Sequence, residues 1–126
     1  MRFIAVLLVL LVAASHAGFL VLEMFFWNDP IGYRVFGLTP EFAAASAVLA
    51  ANQGLYNGFL AAGLLWGLVT RRLDIKAFFL CCVIVAGVYG GLTAKMSILY
   101  FQAVPAAVAL LAVLIARPSR SRQSLL

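Results

Sequence analysis

Apolar residues fill four long stretches of the chain, near 3–27, 42–69, 77–94 and 97–116, and most charged residues and turn formers fall between them. About 20 predominantly apolar residues carry a helix across the hydrocarbon core of a bilayer. The pattern therefore predicts an all-α fold: one integral membrane domain over residues 1–126, a four-transmembrane-helix bundle with antiparallel up-down connections. The first connection, residues 28–41, is the longest and carries the turn signal Asn28-Asp29-Pro30, then Gly32, Gly37 and Pro40. Thr39-Pro40-Glu41 suits a helix start, with a hydroxyl at the N-cap, proline at the first helical position and a carboxylate near the positive end of the dipole. The second connection is short and basic, and Asp74 is placed to cap the third helix. The third, Lys95 to Ser97, is brief enough to require a tight antiparallel hairpin.

Inside the stretches, Gly54 with Gly58, Gly63 with Gly67 and Gly87 with Gly91 stand four apart. This spacing lets helix backbones approach closely in lipid, here within one protomer. Pro105 lies in the fourth stretch, where it has no N–H to give the carbonyl of Phe101 and is expected to kink the helix. Cys81 and Cys82 are neighbours that cannot close an ordinary disulfide without strain; they read as small apolar packing residues.

Composition sharpens the class. Of 126 residues, 66% are hydrophobic and 10% charged, and the mean hydropathy is +1.11. Soluble domains are roughly half apolar and a quarter charged, so a soluble enzyme, a nucleic-acid module and a disordered tail are excluded. The net charge of +5 is spread over separate edges and describes topology rather than an acidic partner. With the N-terminus inside, seven basic residues are cytoplasmic (Arg2, Arg71, Arg72, Lys76, Arg117, Arg120 and Arg122) against Arg34 and Lys95 outside. The positive-inside rule then puts both ends in the cytoplasm. A cleaved signal peptide ending near Ser15-His16-Ala17 competes for the first stretch. Against it, the apolar run continues through Gly18–Trp27, and cleavage would remove the partner of the second span.

Polar residues inside the apolar stretches carry the candidate chemistry. An ionisable group in hydrocarbon is costly and normally faces the bundle interior, which singles out Glu23. His16 lies two turns earlier on the same face, about 10 Å away at 1.5 Å per residue. The second stretch offers Asn52, Gln53, Tyr56 and Asn57 within an arc of roughly 140°. Its Asn52 and Tyr56 side continues to Gly63 and Gly67, reading as a polar pocket wall above and a close helix contact below. Glu23, Thr93 and Gln102 lie within about 10 Å of the outer boundary, whereas Asn52, Tyr56 and His16 lie roughly 15–21 Å deep. Tyr89, one turn before Thr93, joins them. These nine residues are expected to share a pocket in the outer half of the bilayer. Each also has a plain packing role, since amides, phenols and hydroxyls in membrane helices commonly bond across helices. One His and one Glu supply too few ligands for a metal, and no cofactor fingerprint is present.

The segments Leu22-Glu23-Met24-Phe25-Phe26-Trp27, Phe36-Gly37-Leu38, Asn52-Gln53-Gly54-Leu55-Tyr56-Asn57-Gly58, Tyr89-Gly90-Gly91-Leu92-Thr93, Gln102 and Pro105-Ala106 resemble the small bacterial membrane proteins catalogued as Domain of Unknown Function 1304. The similarity runs from about His16 to Leu111, and its specific part is Asn-Gln-Gly-x-Tyr-Asn-Gly. The resemblance implies a membrane protein, in the bacterial cytoplasmic membrane, with no assigned activity. Three functions fit the residues. The first is binding or carrying a small lipophilic or cationic molecule, with Glu23 as ion partner or proton exchanger. Membrane lipids are then the surroundings, and a homodimer is expected because four helices make a thin wall for transport. The second is an intramembrane acid–base enzyme using His16 and Glu23 on a lipophilic substrate. The third is a structural subunit whose polar face bonds to another membrane protein.

Overall fold

The computed structural model describes residues 2–116 and is all-helical over them: α1 Arg2–Phe25, α2 Pro30–Phe36, α3 Pro40–Val69, α4 Leu73–Thr93 and α5 Met96–Ile115. The tail arginines Arg117, Arg120 and Arg122 lie outside the described residues. By length and composition α1, α4 and α5 can each cross a membrane, and α2 with α3, meeting at 89°, bring the number to as many as four.

Local chemistry sets the helix ends. Thr39 caps α3 as its sequence suggests, its side-chain oxygen accepting from the Phe42 N–H at 3.3 Å with Pro40 opening the helix. The connection at 28–41 is more ordered than a loop. Asp29 Oδ1 accepts from the Ile31 N–H at 3.0 Å, Pro30 presets the first turn, and Gly37 closes α2 in the left-handed region at φ 69°. The turn signal is thus also the cap of a short helix. Asp74 does not cap α4, whose N-cap is Arg72; it sits in the first turn and pairs with the Arg72 guanidinium. Pro105 follows a π-helical turn, Leu99–Ala103, in which the Val104 N–H reaches Leu99 O. The wider turn absorbs the missing donor.

The glycine pairs mark the helix contacts. Gly54 meets Met24 and Glu23, and Gly58 meets Leu20, so contacts between α1 and α3 run in opposite chain directions. Gly63 lies under the Phe79 ring and Gly67 against Ile75 and Lys76 on α4. Gly87, Gly90 and Gly91 meet Ala103, Ile98 and Leu99 of α5, which also packs along α1. The core is made of small and branched residues: Ala5, Val9, Val12 and Ala13 of α1, Leu64 of α3, Leu80 and Val83 of α4, and Ala106, Ala109 and Val113 of α5. All belong to one half of the helices' length, the half holding the start of α1 and the end of α5.

Candidate functional site

Two polar pairs link α1 to its neighbours. Asn57 Nδ2 donates to Glu23 Oε2 at 2.7 Å, joining α3 to α1, with Asn57 only 7% exposed and Glu23 half-buried. The flanking glycines explain the contact: Gly54 and Gly58 bring the backbones together where Asn57 faces α1. His16 is 1% exposed, with Nδ1 2.9 Å from Val12 O and Nε2 3.3 Å from Gln102 Nε2. A carbonyl only accepts, so Nδ1 carries the proton and the Nε2 lone pair accepts from the Gln102 amide. The π-helical turn carries Gln102, and the Phe19 ring meets the imidazole edge-on at 5.9 Å. Glu23 and His16 therefore share one helix but answer to different amides.

The other predicted residues lie elsewhere. Asn52, Gln53, Tyr56, Tyr89 and Thr93 are exposed on this chain, and Thr93 Oγ1 returns its hydrogen to Tyr89 O at 2.7 Å. Neither of the two cavities described below includes any of the nine predicted residues except Tyr89, so neither cavity is the pocket expected of them. Eleven residues make three helical turns with only about 20° of residual rotation, so such pairs share a side of α3. Gly63, Leu64 and Gly67 are buried, Leu64 completely, whereas their counterparts Asn52, Gln53 and Tyr56, three turns earlier, are exposed. The same side of α3 is covered in one half of its length and uncovered in the other. Extending the Gly63–Phe79 and Gly67–Ile75 register puts Tyr56 level with Ala86 and Gln53 level with Tyr89, all exposed as well. The helices α3 and α4 part above Phe79, as α4 closes on α5 through Gly87 and Gly91. Gln53, Tyr56 and Tyr89 thus border an uncovered stretch between α3 and α4, a notch inferred from register and exposure rather than an enclosed cavity, at the level where Glu23 and Asn57 meet.

A shallow second groove, about 540 Å³, follows the outer face of α4 past Phe78, Cys82, Val85 and Tyr89 and is almost wholly apolar. A larger cavity lies at the opposite end of the bundle, bounded by Arg2, Arg71 and Lys76. The sequence reading used these three only for topology. In the sequence each lies at or near a helix end, and the fold brings those three ends together.

The Glu23–Asn57 pair predicts a coupling. Replacing Asn57 by leucine alone should destabilise the protein by about 1 kcal/mol, within the range of interhelical hydrogen bonds in membranes. In a Glu23→Leu background the same change should cost nothing, because no partner is left to orphan. Thermal unfolding of the four proteins in one detergent measures this; equal costs in both backgrounds would show no coupling.

An all-helical chain with three to four membrane-compatible helices and polar pairs between them defines a small helical protein of membrane character. Residues 10–114 match the family described as Protein of unknown function (DUF1304), and the chain belongs to that family. It is similar to "Uncharacterized protein YpaA" of Lactococcus lactis subsp. lactis (strain IL1403), 32% identical over 115 residues that cover 88% of this chain and 97% of the relative. No solved structure matches it.

Proposed function

We propose that the chain crosses the bilayer four times, up and down, with both ends cytoplasmic in a bacterial inner membrane. In this reading it binds a small lipophilic molecule with a cationic or hydrogen-bonding group in the outer-half notch. The observation that carries the reading is the side of α3 that is buried at Gly63, Leu64 and Gly67 but open at Asn52, Gln53 and Tyr56. Carboxamides facing hydrocarbon without partners are costly, so a polar notch needs an occupant. Glu23 supplies the acid, and Asn57 holds its Oε2 so that the other carboxylate oxygen is left for a ligand. Gln53, Tyr56 and Tyr89 offer donors and ring faces at the same level. The core from Val9 to Ala13, packed against Leu80, Val83 and Ala106, closes the path toward the cytoplasm. Binding from the outer side is therefore favoured over a through-path.

The enzyme reading has less support, because His16 is engaged by Val12 and Gln102 on another helix contact and does not converge on Glu23. A second copy covering Asn52 and Gln53 is the structural alternative, and one experiment separates the two. The test uses the full chain in neutral detergent, with tetraphenylphosphonium as the lipophilic cation, measured by equilibrium dialysis. Saturable binding is expected, weakened about tenfold or more in Glu23→Gln, the loss of one ion pair in a poorly solvated site. Unchanged binding in that variant, or no saturable binding by a protein eluting as a dimer, would overturn the reading.

A further inference from the structure

At the end of the bundle opposite the notch, the helices border a partly open cavity of about 1040 Å³. Three cations border it: Arg2 at the start of α1, Arg71 in the α3–α4 corner and Lys76 in α4. Ala5, Val9, Leu68 and Val113 supply an apolar wall. The neighbouring Arg72 is neutralised by Asp74, the one ion pair among the described residues. The remaining carboxylates are distant: Glu23 holds Asn57, and Asp29 and Glu41 flank α2 at the other end. Arg2, Arg71 and Lys76 thus face one space with no counter-charge from the described chain.

The backbone is committed to this arrangement. Arg71 is the lone non-glycine residue at positive φ among those described, 56°, with its N–H on Leu68 O at 3.1 Å. Such a conformation is disfavoured for a side chain with a Cβ and is retained only where the surroundings enforce it. Lys76 lies half-buried against Gly67, where a Cβ would come within 2.7 Å of its Cγ and 3.0 Å of its backbone nitrogen. Glycine there makes room for the lysine stem, as expected for a long cation that packs its methylenes and extends its charge.

We propose that this cavity binds an anionic amphiphile with a phosphate or carboxylate head and a single apolar chain. Arg2, Arg71 and Lys76 hold the head, and Ala5, Val9 and Val113 line the chain. From Arg2 to Val9 the wall is about 10 Å deep at 1.5 Å per residue, and the volume lies at the upper end of small-molecule sites, about 300–1,000 Å³. That suits one chain and is too small to enclose a two-chain phospholipid. Placing uncompensated cations at the membrane edge favours anionic over zwitterionic heads.

The test uses the full-length protein in maltoside detergent and measures bound ligand by native mass spectrometry. Dodecyl phosphate is titrated beside dodecylphosphocholine, of equal chain length, and inorganic phosphate. Dodecyl phosphate is expected to bind saturably and more tightly than either control. It should weaken about 30-fold in the Arg71→Gln, Lys76→Gln double variant and about fivefold in Arg2→Gln, taking each cation near the surface as worth roughly a factor of five. Arg2→Gln lies outside the α3–α4 corner and serves if the double variant loses its helical circular dichroism. Equal binding by well-folded variants, or dodecylphosphocholine binding as tightly as the phosphate, would overturn the proposal. Inorganic phosphate matching dodecyl phosphate would do so too, since the cavity would then read the anion alone.

Discussion

A Gly87→Val protein is expected to lose its folded form in detergent, and Gly87→Ala to be destabilised by about 2 kcal/mol, in the range of overpacked sites. A Cβ at this position would stand 2.7 Å from the Ala103 nitrogen, 2.9 Å from Ala103 Cβ and 3.0 Å from Ala103 Cα. Two of those atoms are backbone, held by the π-helical turn, so no rotamer change relieves the clash. The only relief is separation of α4 from α5, which would uncover Gly91 and Leu99 together. Gly18 provides the control, because nothing lies within 4 Å of a Cβ placed there. Alanine is the better helix former by about 1 kcal/mol, so Gly18→Ala should be neutral or stabilising. The two substitutions are chemically identical and predicted to have opposite signs. Thermal unfolding followed by size-exclusion chromatography compares them, and a Gly87→Ala protein as stable as Gly18→Ala would contradict the close α4–α5 contact.

The second large effect is expected at Gly32, which is buried where α2 crosses the end of α1. A Cβ there would run into Phe26 O and would lie 2.6 Å from Trp27 O. Gly32→Ala should therefore lift α2 from its seat at a cost of about 2 kcal/mol, leaving the long helices packed. The seat has its own reporter. Trp27 Nε1 donates to Ser46 Oγ at 3.0 Å, and its ring tilts against Phe36 at 4.9 Å. In a Trp66→Phe background, which leaves Trp27 as the single tryptophan, its fluorescence should shift to the red in Gly32→Ala while helical circular dichroism is unchanged. An unshifted spectrum would mean that α2 accommodates the methyl group without moving.

The long apolar helices, the N-cap of α3 and the pairing role of the glycines were readable from apolar runs, Thr39-Pro40 and four-residue spacings, because each depends on local chemistry. The helix inside 28–41 was obscured because Asn-Asp-Pro starts turns and helices alike, and seven residues give too little periodicity to tell them apart. For the site, neither depth nor direction was readable: counting from the span ends put Glu23 and Gln102 near the outer boundary and the α3 amides and His16 deeper, yet Asn57 meets Glu23 and Gln102 meets His16. Asn52, Tyr56, Gly63 and Gly67 do share one side, but the sequence carries no sign that α4 covers only half of it. That depends on α4 leaning toward α5, a tertiary choice set by Gly87 and Gly91 against Ala103 and Leu99. Asn57 could have been singled out from its three companions, since at 100° per residue it lies on the side of α3 that carries Gly54 and Gly58, the two glycines that meet α1.

The right-angled corner between α2 and α3 also bears on how the protein sits in its membrane. With 30 residues, α3 is about 45 Å long, the thickness of a bilayer with its headgroups, whereas α4 with 21 residues is about 31 Å, the hydrocarbon layer alone. In the four-span arrangement proposed above, an upright α3 would lay α2 flat in the outer headgroup layer, where Trp27 and Tyr33 suit the interface. There it would act as a float that sets the vertical position of the helices below it. Bilayer thickness would then bear unequally on the two helices that border the notch: thinning the membrane mismatches both, and the longer α3 must tilt further than α4. The acyl-chain length of the host lipid thus becomes a physical variable in how wide that notch stands.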